Sequence, residues 1–342
     1  MPAFRSLAAL CAARGYNPLM AAMSETRIPA LVDLRHVRAA QLDKLLQEEV
    51  DAWSNRLDWD FEPTAALVRR FAGMQALTGF ALGSGSEIFG YAYFVCEDTK
   101  GLVGDIFILR DYRCAEYEDR LLEAVLDSMF DTHGLRRVEA QLLLLPGSLE
   151  RPLPFAARLR RHRRDFMTIT ADAVRELAPR GQPSGFTLET WAPRRQEQAA
   201  IAIAAAYRGH IDGEINDQYR SVRGARRFLL NIVQYPGCGS FFAPGSVLAI
   251  RPDRGETCGI CLASLVSRDV GHITQICVTP EYRGRGLGYE LLRRSLVGLV
   301  AHGCRQVSLT VTSANTEAKQ LYERAGFRTL HSFAALVWEA PW

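Results

Sequence analysis

The sequence predicts an α/β (α+β) protein of two tandem domains of the same build, each a mixed β-sheet flanked by helices. Three observations lead there. At 342 residues the chain is longer than one hydrophobic core usually serves. Its C-terminal half carries a strand, a glycine-rich turn, a helix and a second strand in direct succession. The same order recurs upstream. Tyr112-Arg113 and Leu121-Leu122 match Tyr282-Arg283 and Leu291-Leu292 at a spacing of 170 positions, and His133-Gly134 and Val138 match His302-Gly303 and Val307 at 169. Such self-similarity is the mark of a duplicated unit.

The elements of the C-terminal half follow from periodicity and punctuation. Phe186 to Trp191 reads as a strand, and Pro193 opens an Ala-rich helix to about Tyr207. Gly209 to Asp217 is polar and reads as a loop. A second helix is expected from Asp217, as its N-cap, to Val233. Ser246 to Arg251 and Cys258 to Val266 form a hairpin across Pro-Asp-Arg-Gly. Gly271 to Thr279 is a strand rich in Ile273, Ile276, Cys277 and Val278. After the turn, Leu287, Leu291, Leu292, Leu296, Leu299 and Val300 recur at helical spacing. Gln306 to Val311 is the next strand, Asn315 to Arg324 a short helix stopped by Gly326, and Phe327 onward a last strand.

The expected domain boundaries are an extension over residues 1–23, a first domain over 24–177, a linker over 178–185 and a second domain over 186–342. The extension holds Arg5 and Arg14 and no acidic residue, and Arg14 breaks its apolar stretch too early for a signal peptide. The linker reads Pro-Arg-Gly-Gln-Pro-Ser-Gly at its core.

Composition narrows the function classes. Hydrophobic residues make up 48% and charged residues 23%, as in ordinary globular proteins. A net charge of +3 gives no bulk attraction to nucleic acid or anionic lipid, so neither is expected as a partner. No apolar run is long enough to span a bilayer, and the expected location is the cytoplasm. Cys258 and Cys261 form a CxxC without a second pair or nearby histidines. Lying three apart on a strand, they should point to opposite faces and stay unlinked, and no metal is expected.

The turn Arg283-Gly284-Arg285-Gly286-Leu287-Gly288 carries the chemistry. Between a strand and a helix, its glycines allow the main chain to approach a phosphate, and the helix start adds its dipole. The strand Ile276-Cys277-Val278-Thr279-Pro280 precedes it, and Asn315-x-x-Ala318-x-x-Leu321-Tyr322-x-x-x-Gly326-Phe327 follows. This array resembles the signature of the GNAT (Gcn5-related N-acetyltransferase) superfamily, in element order over 186–339 and sharply over 271–327. The resemblance implies a sheet splayed between two central strands, with acetyl-CoA as acyl donor in the cleft. It implies that the main chain of Ile276, Cys277 and Val278 holds the pantetheine arm and that Arg283, Gly284, Arg285, Gly286, Leu287 and Gly288 hold the diphosphate. Asn315 orients the arm, and Tyr322 faces the thioester sulfur as general acid.

The attacking amine is the larger chemical problem. A lysine-like amine is protonated at neutral pH, and freeing it costs roughly 4.6 kcal/mol at pH 7. His272 is the expected base, at the rim of the strand entering the cofactor turn, where some GNAT histone acetyltransferases carry a glutamate. His210, Asp212, Glu214 and Asp217 lie in the loop that lines the acceptor site in this family, where carboxylates would attract a cation.

The first half lacks these features. Its turn reads Arg113-Cys114-Ala115-Glu116-Tyr117-Glu118, with glutamates where glycines stood. In place of the Asn315–Tyr322 helix it has Arg158-Leu159-Arg160-Arg161-His162-Arg163-Arg164, expected as a solvated helix face or a partner of the acidic stretch from Glu116 to Glu123. The first domain is therefore expected to be a degenerate GNAT-like unit that shapes the acceptor site. The expected function is transfer of an acetyl group from acetyl-CoA to a small-molecule primary amine. Acetylation of a protein lysine or N-terminus fits the same motifs. A non-catalytic acyl-CoA-binding scaffold fits them less well, because the turn and Tyr322 are intact.

Overall fold

The computed structural model describes residues 29–181, 184–235 and 237–341. The first 23 residues and the middle of the expected linker lie outside that description. The first half runs β1 (Ala30–Asp33), α1 (Asp43–Leu57), α2 (Glu62–Gly73), β2 (Gly79–Ser84), β3 (Glu87–Glu97), β4 (Lys100–Ile108), α3 (Ala115–Phe130), β5 (Arg137–Gln141), β6 (Leu159–Thr170) and α4 (Ala171–Arg175). The second runs β7 (Thr187–Thr190), α5 (Gln196–Ala206), α6 (Asp212–Ile215), α7 (Val222–Gln234), β8 (Ser240–Phe241), β9 (Val247–Arg251), β10 (Glu256–Ser267), β11 (Val270–Val278), α8 (Leu287–His302), β12 (Gln306–Thr312), α9 (Thr316–Arg324) and β13 (Arg328–Glu339).

The two halves share one sheet, in the order β1-β2-β3-β4-β5-β13-β6-β12-β11-β10-β9-β7, with β8 beside β10. Its centre is a reciprocal exchange of strands. β6, the last strand of the first half, pairs with β12 of the second, and β13, the last of the second, pairs with β5 of the first. β6 and β13 pair with each other, antiparallel, from Arg328↔Thr168 to Trp338↔Leu159. Each half thus supplies the strand that covers the other's sheet edge. Trp338, fully buried, packs into the core of the first half with Phe333, Ala334 and Leu336.

The repeat is visible in backbone detail. In each half one parallel pair is short: Lys100–Val103 with Arg137–Ala140, and Val270–Ile273 with Gln306–Leu309. In each, the inner strand then carries a one-residue bulge, at Gly104 and at Thr274. Beyond the bulge the strands separate and open a cleft. Leu287, Leu291, Leu292, Leu296 and Leu299 bury one stripe of α8 against one face of the second half's sheet, while α5 and α7 cover the other. Gly303, at φ +111°, ends α8.

Four sequence expectations are corrected. The arginine run is strand β6, not a helix: alternate residues face opposite sides of the sheet, and Arg161 donates to the carbonyl of Arg151 at 2.6 Å. Glu118 and Asp119 pair with Arg151 (2.9 and 2.5 Å) rather than with that run. Asp217 is not the cap of α7. Asn216 caps a 3-10 turn over Asp217–Arg220 and Ser221 caps α7, leaving the Asp217 carboxylate to Lys100 of the first half at 2.7 Å. Finally, a bulge between Thr257 and Gly259 turns Cys258 to the face that Cys261 already occupies. Both thiols are buried and free.

Candidate active site

The cleft of the second half lies between β11 and β12, past their last paired residues Ile273 and Leu309. From Thr274 to Val278 the main chain of β11 has no strand partner on the β12 side. Tyr207, from the end of α5, donates its hydroxyl to the carbonyl of Ile276 at 3.3 Å and stacks on Tyr219 with centroids 4.6 Å apart. Tyr219 donates in turn to Gln275 Oε1 at 3.4 Å. Cys277 sits half-buried on this strand, its thiol pushed up to about 12 by burial.

The turn after β11 leaves an uncapped helix start. Gly284 and Gly286 take φ +73° and +79°, and a Cβ on either would meet no atom within 4 Å. No side chain caps α8 at Gly286, so its first N–H groups face open space, the arrangement that receives an anion. The basic residues of the turn divide the work. Arg285 is exposed above the Tyr282 ring. Arg283 instead turns inward, donating from Nε to the carbonyl of Val278 (3.2 Å) and from Nη2 to that of Ala206 (2.7 Å). Its guanidinium braces β11 against α5, while the residue itself stays exposed at the start of the turn.

Tyr322 projects from α9 into the same cleft, only 6% exposed. Burial raises its pKa, the Asp212 carboxylate adds to the rise and Arg164 opposes it. A tyrosine so placed stays protonated and can donate. Asn315 accepts from the Ala318 amide at 3.2 Å, so its Oδ1 caps α9; only its amide nitrogen is left to reach the cleft.

His272 is not at a rim. It is 4% exposed, Trp59 of the first half meets its ring edge-on at 4.9 Å, and its Nδ1 lies 2.9 Å from Ser308 Oγ. Burial, reinforced by Arg164, pushes its pKa down to about 3. A base that weak is neutral at every working pH and has little pull on an ammonium proton, which removes the expected role.

The acidic loop is partly drawn in. Asp212 accepts a hydrogen bond from Thr312 Oγ1, and His210 Nδ1 lies 3.6 Å from its other oxygen. Glu214 is exposed, and Arg137 of the first half donates to its carbonyl. Sequence reasoning missed Arg164, which stands opposite Thr312 and donates to Thr310. Its signal was the alternation His162, Arg164, Phe166, Thr168 along β6, obscured by the neighbouring arginines. Tyr207, Tyr219 and Trp59 carried no motif and were also missed.

The matching cleft of the first half is closed. Leu144, Leu145 and Pro146 pack beside Ile106–Ile108 and leave a cavity of about 10 Å³. Glu118 and Asp119, tied to Arg151, stand at the start of α3 where an anion would dock. Arg113 braces the carbonyl of Ile108 as Arg283 braces Val278. Gly104 is pressed against the Tyr93 ring, where a Cβ would come within 2.0 Å.

Comparison with known proteins agrees with this geometry. The profile of the acetyltransferase (GNAT) family matches residues 214–327. The mycothiol acetyltransferase of Thermobispora bispora is 30% identical over 273 residues, covering 76% of this chain and 83% of that protein. A GCN5-related N-acetyltransferase from Sphaerobacter thermophilus superposes with a TM-score of 0.62 at 20% identity, covering 90% of this chain and 95% of that one. A tandem GNAT protein from the clavulanic acid biosynthesis pathway superposes with a TM-score of 0.56 at 15% identity, covering 92% and 99%.

Proposed function

We propose, from the premise that the chain belongs to the GNAT family of acetyltransferases, that it moves the acetyl group of acetyl-CoA to the primary amine of a small molecule. The observation that carries the reading is the splay of β11 from β12 past Ile273, which leads to the uncapped start of α8. The first half has the same backbone with the cleft filled. We place one donor site per chain, in the second half, with the expected boundary between the domains near residues 178–185.

In this reading the amides of Gly286, Leu287 and Gly288 and the Arg285 side chain hold the diphosphate, and the main chain of Ile276 to Val278, whose Ile276 and Val278 carbonyls already accept from Tyr207 and Arg283, holds the pantetheine arm through its amides. The amine attacks the thioester carbonyl, and a β11 amide stabilises the oxyanion. The tetrahedral intermediate collapses with loss of the thiolate, to which Tyr322 gives its proton. Asp212, with His210 behind it, takes the place first expected of His272 in receiving the amine and its proton.

A small acceptor is favoured over a peptide by the cover on the cleft. Trp59 and the loop around it lie over His272, where an open groove would have to run. The amide of Asp60 donates to the carbonyl of Val266, fixing that loop in place. The name of the T. bispora relative, mycothiol acetyltransferase, also points to a small molecule. The test is acetyl-CoA turnover against a panel of small amines and of peptides with free N-termini or lysines, read as CoA release and product mass. Acetylated small amines are expected; turnover with peptides alone would reject the proposal.

A further inference from the structure

The exchanged strand β6 brings a positive charge into the cleft of the other half. Arg164 stands directly opposite Thr312, so the two side chains share one face of the sheet. Its Nη2 donates to the carbonyl and hydroxyl of Thr310, at 3.3 and 3.0 Å. Its Nε is buried and has no partner, and the hydrogen bonds of its Nη2 go to Thr310 rather than to a carboxylate. A part-buried guanidinium with a stranded donor is costly unless something anionic completes it.

A negative charge faces the same place. Asp212 is held by Thr312, the residue opposite Arg164, and its side chain is 14% exposed. The two charges pull the Tyr219 and Tyr322 hydroxyls in opposite directions, Asp212 raising and Arg164 lowering their pKa values. Yet they make no ion pair with each other, although one threonine separates them. Opposite charges fixed beside the proposed general acid and kept apart form a complement to a zwitterion.

We propose that Arg164 and Asp212 form the acceptor subsite and select an amine that also carries a carboxylate, such as a free amino acid. The ammonium sits against Asp212 and the carboxylate accepts from the Nε of Arg164, the donor that Thr310 leaves without a partner. This rests on the reading of the cleft as an acetyl-transfer site and adds the class of acceptor. It also gives the closed first half a task, since it supplies the arginine.

Two arms test it. In the first, acetyl transfer is measured with amino acids, their amides and the corresponding amines lacking the carboxyl group. The free acids should exceed the amides about 10- to 100-fold in kcat/KM, the range of one charged hydrogen bond, and Arg164→Gln should erase the difference. In the second, N-acetyl-L-alanine and its amide are titrated calorimetrically into the CoA-loaded protein. The acid should bind the native protein and lose about 10-fold or more in Arg164→Gln and in Arg164→Lys, which keeps the charge but not the Nε donor. CoA stoichiometry checks that each variant is folded. Equal use of acids and amides, or unchanged binding of the acid in both variants, overturns the subsite. If no amine is acetylated but the carboxylate arm behaves as expected, the transfer reading fails and the subsite stands.

Discussion

Gly286→Ala separates what the turn does for the fold from what it does for the donor. Gly286 sits at φ +79°, where a side chain costs about 1–2 kcal/mol of backbone strain. A Cβ there would touch no atom of the protein, so the loss of stability should be limited to that strain. The methyl group would nevertheless stand at the uncapped helix start, where the proposed diphosphate must approach the amides. Disturbing one charged hydrogen bond there corresponds to about a 10- to 100-fold loss of affinity. Gly303 provides the control. It ends the same helix at φ +111°, and its Cβ would also meet nothing within 4 Å. Urea denaturation should find both alanine variants weakened, Gly303→Ala the more because φ +111° lies further from the left-handed helical region, while calorimetry with acetyl-CoA should find only Gly286→Ala weakened in binding. Equal affinity in the two variants, or a loss at Gly303→Ala as large as at Gly286→Ala, would refute the assignment of the turn.

Tyr322→Phe should lower single-turnover transfer by about 10- to 100-fold with acetyl-CoA affinity unchanged; an unchanged rate would take Tyr322 out of the mechanism. His272→Ala should leave any inflection of the rate profile between pH 6 and 7 in place, because its pKa of about 3 lies far below that window; loss of that inflection would restore it as the base. Glu49 and Asp105 form a buried carboxyl pair in the first half, both pKa values raised by burial, with Tyr91 donating to Glu49 at 2.6 Å. The native state therefore holds more protons than the unfolded chain, so stability should fall as pH rises above the ordinary carboxyl range and through about 6. Glu49→Gln should flatten that fall and gain about 1–3 kcal/mol at pH 8 by urea denaturation; an unaltered pH dependence would contradict the pairing. Trp338→Ala should cost about 3–5 kcal/mol and lower the unfolding of both halves together, because β13 closes the core of the first half. Two separate transitions, with only one shifted, would contradict the exchange of strands.

The strand–turn–helix–strand core was legible because each boundary had a local cause. Gly286 opens α8 and Gly303 closes it, and the leucines between keep a helical stripe, so the expected and observed elements differ by a residue or two. The repeat was legible for the same reason, and its bulges at Gly104 and Thr274 keep the spacing of 170 found in the sequence. The exchange of β6 and β13 was not legible. Strand partners are chosen by tertiary packing, and β6 looked helical only because its arginines hid an alternating pattern. His272 failed for a related reason. Its place on β11 was read correctly, but the Trp59 that buries it lies more than 200 positions upstream, in a loop with no motif. The side-chain bonds of Arg283 to the carbonyls of Val278 and Ala206 were not legible either, because Ala206 lies 77 positions upstream on another element.

The central claim is that one half of a duplicated chain keeps the donor site and the other has filled it. Calorimetric titration of the whole chain with acetyl-CoA tests this most directly, with Gly286→Glu beside the native protein. The account predicts one site per chain and no binding in the variant, whose carboxylate would stand at the helix start as Glu116 and Glu118 do in the first half. Two sites per chain, or one that survives Gly286→Glu, would contradict it.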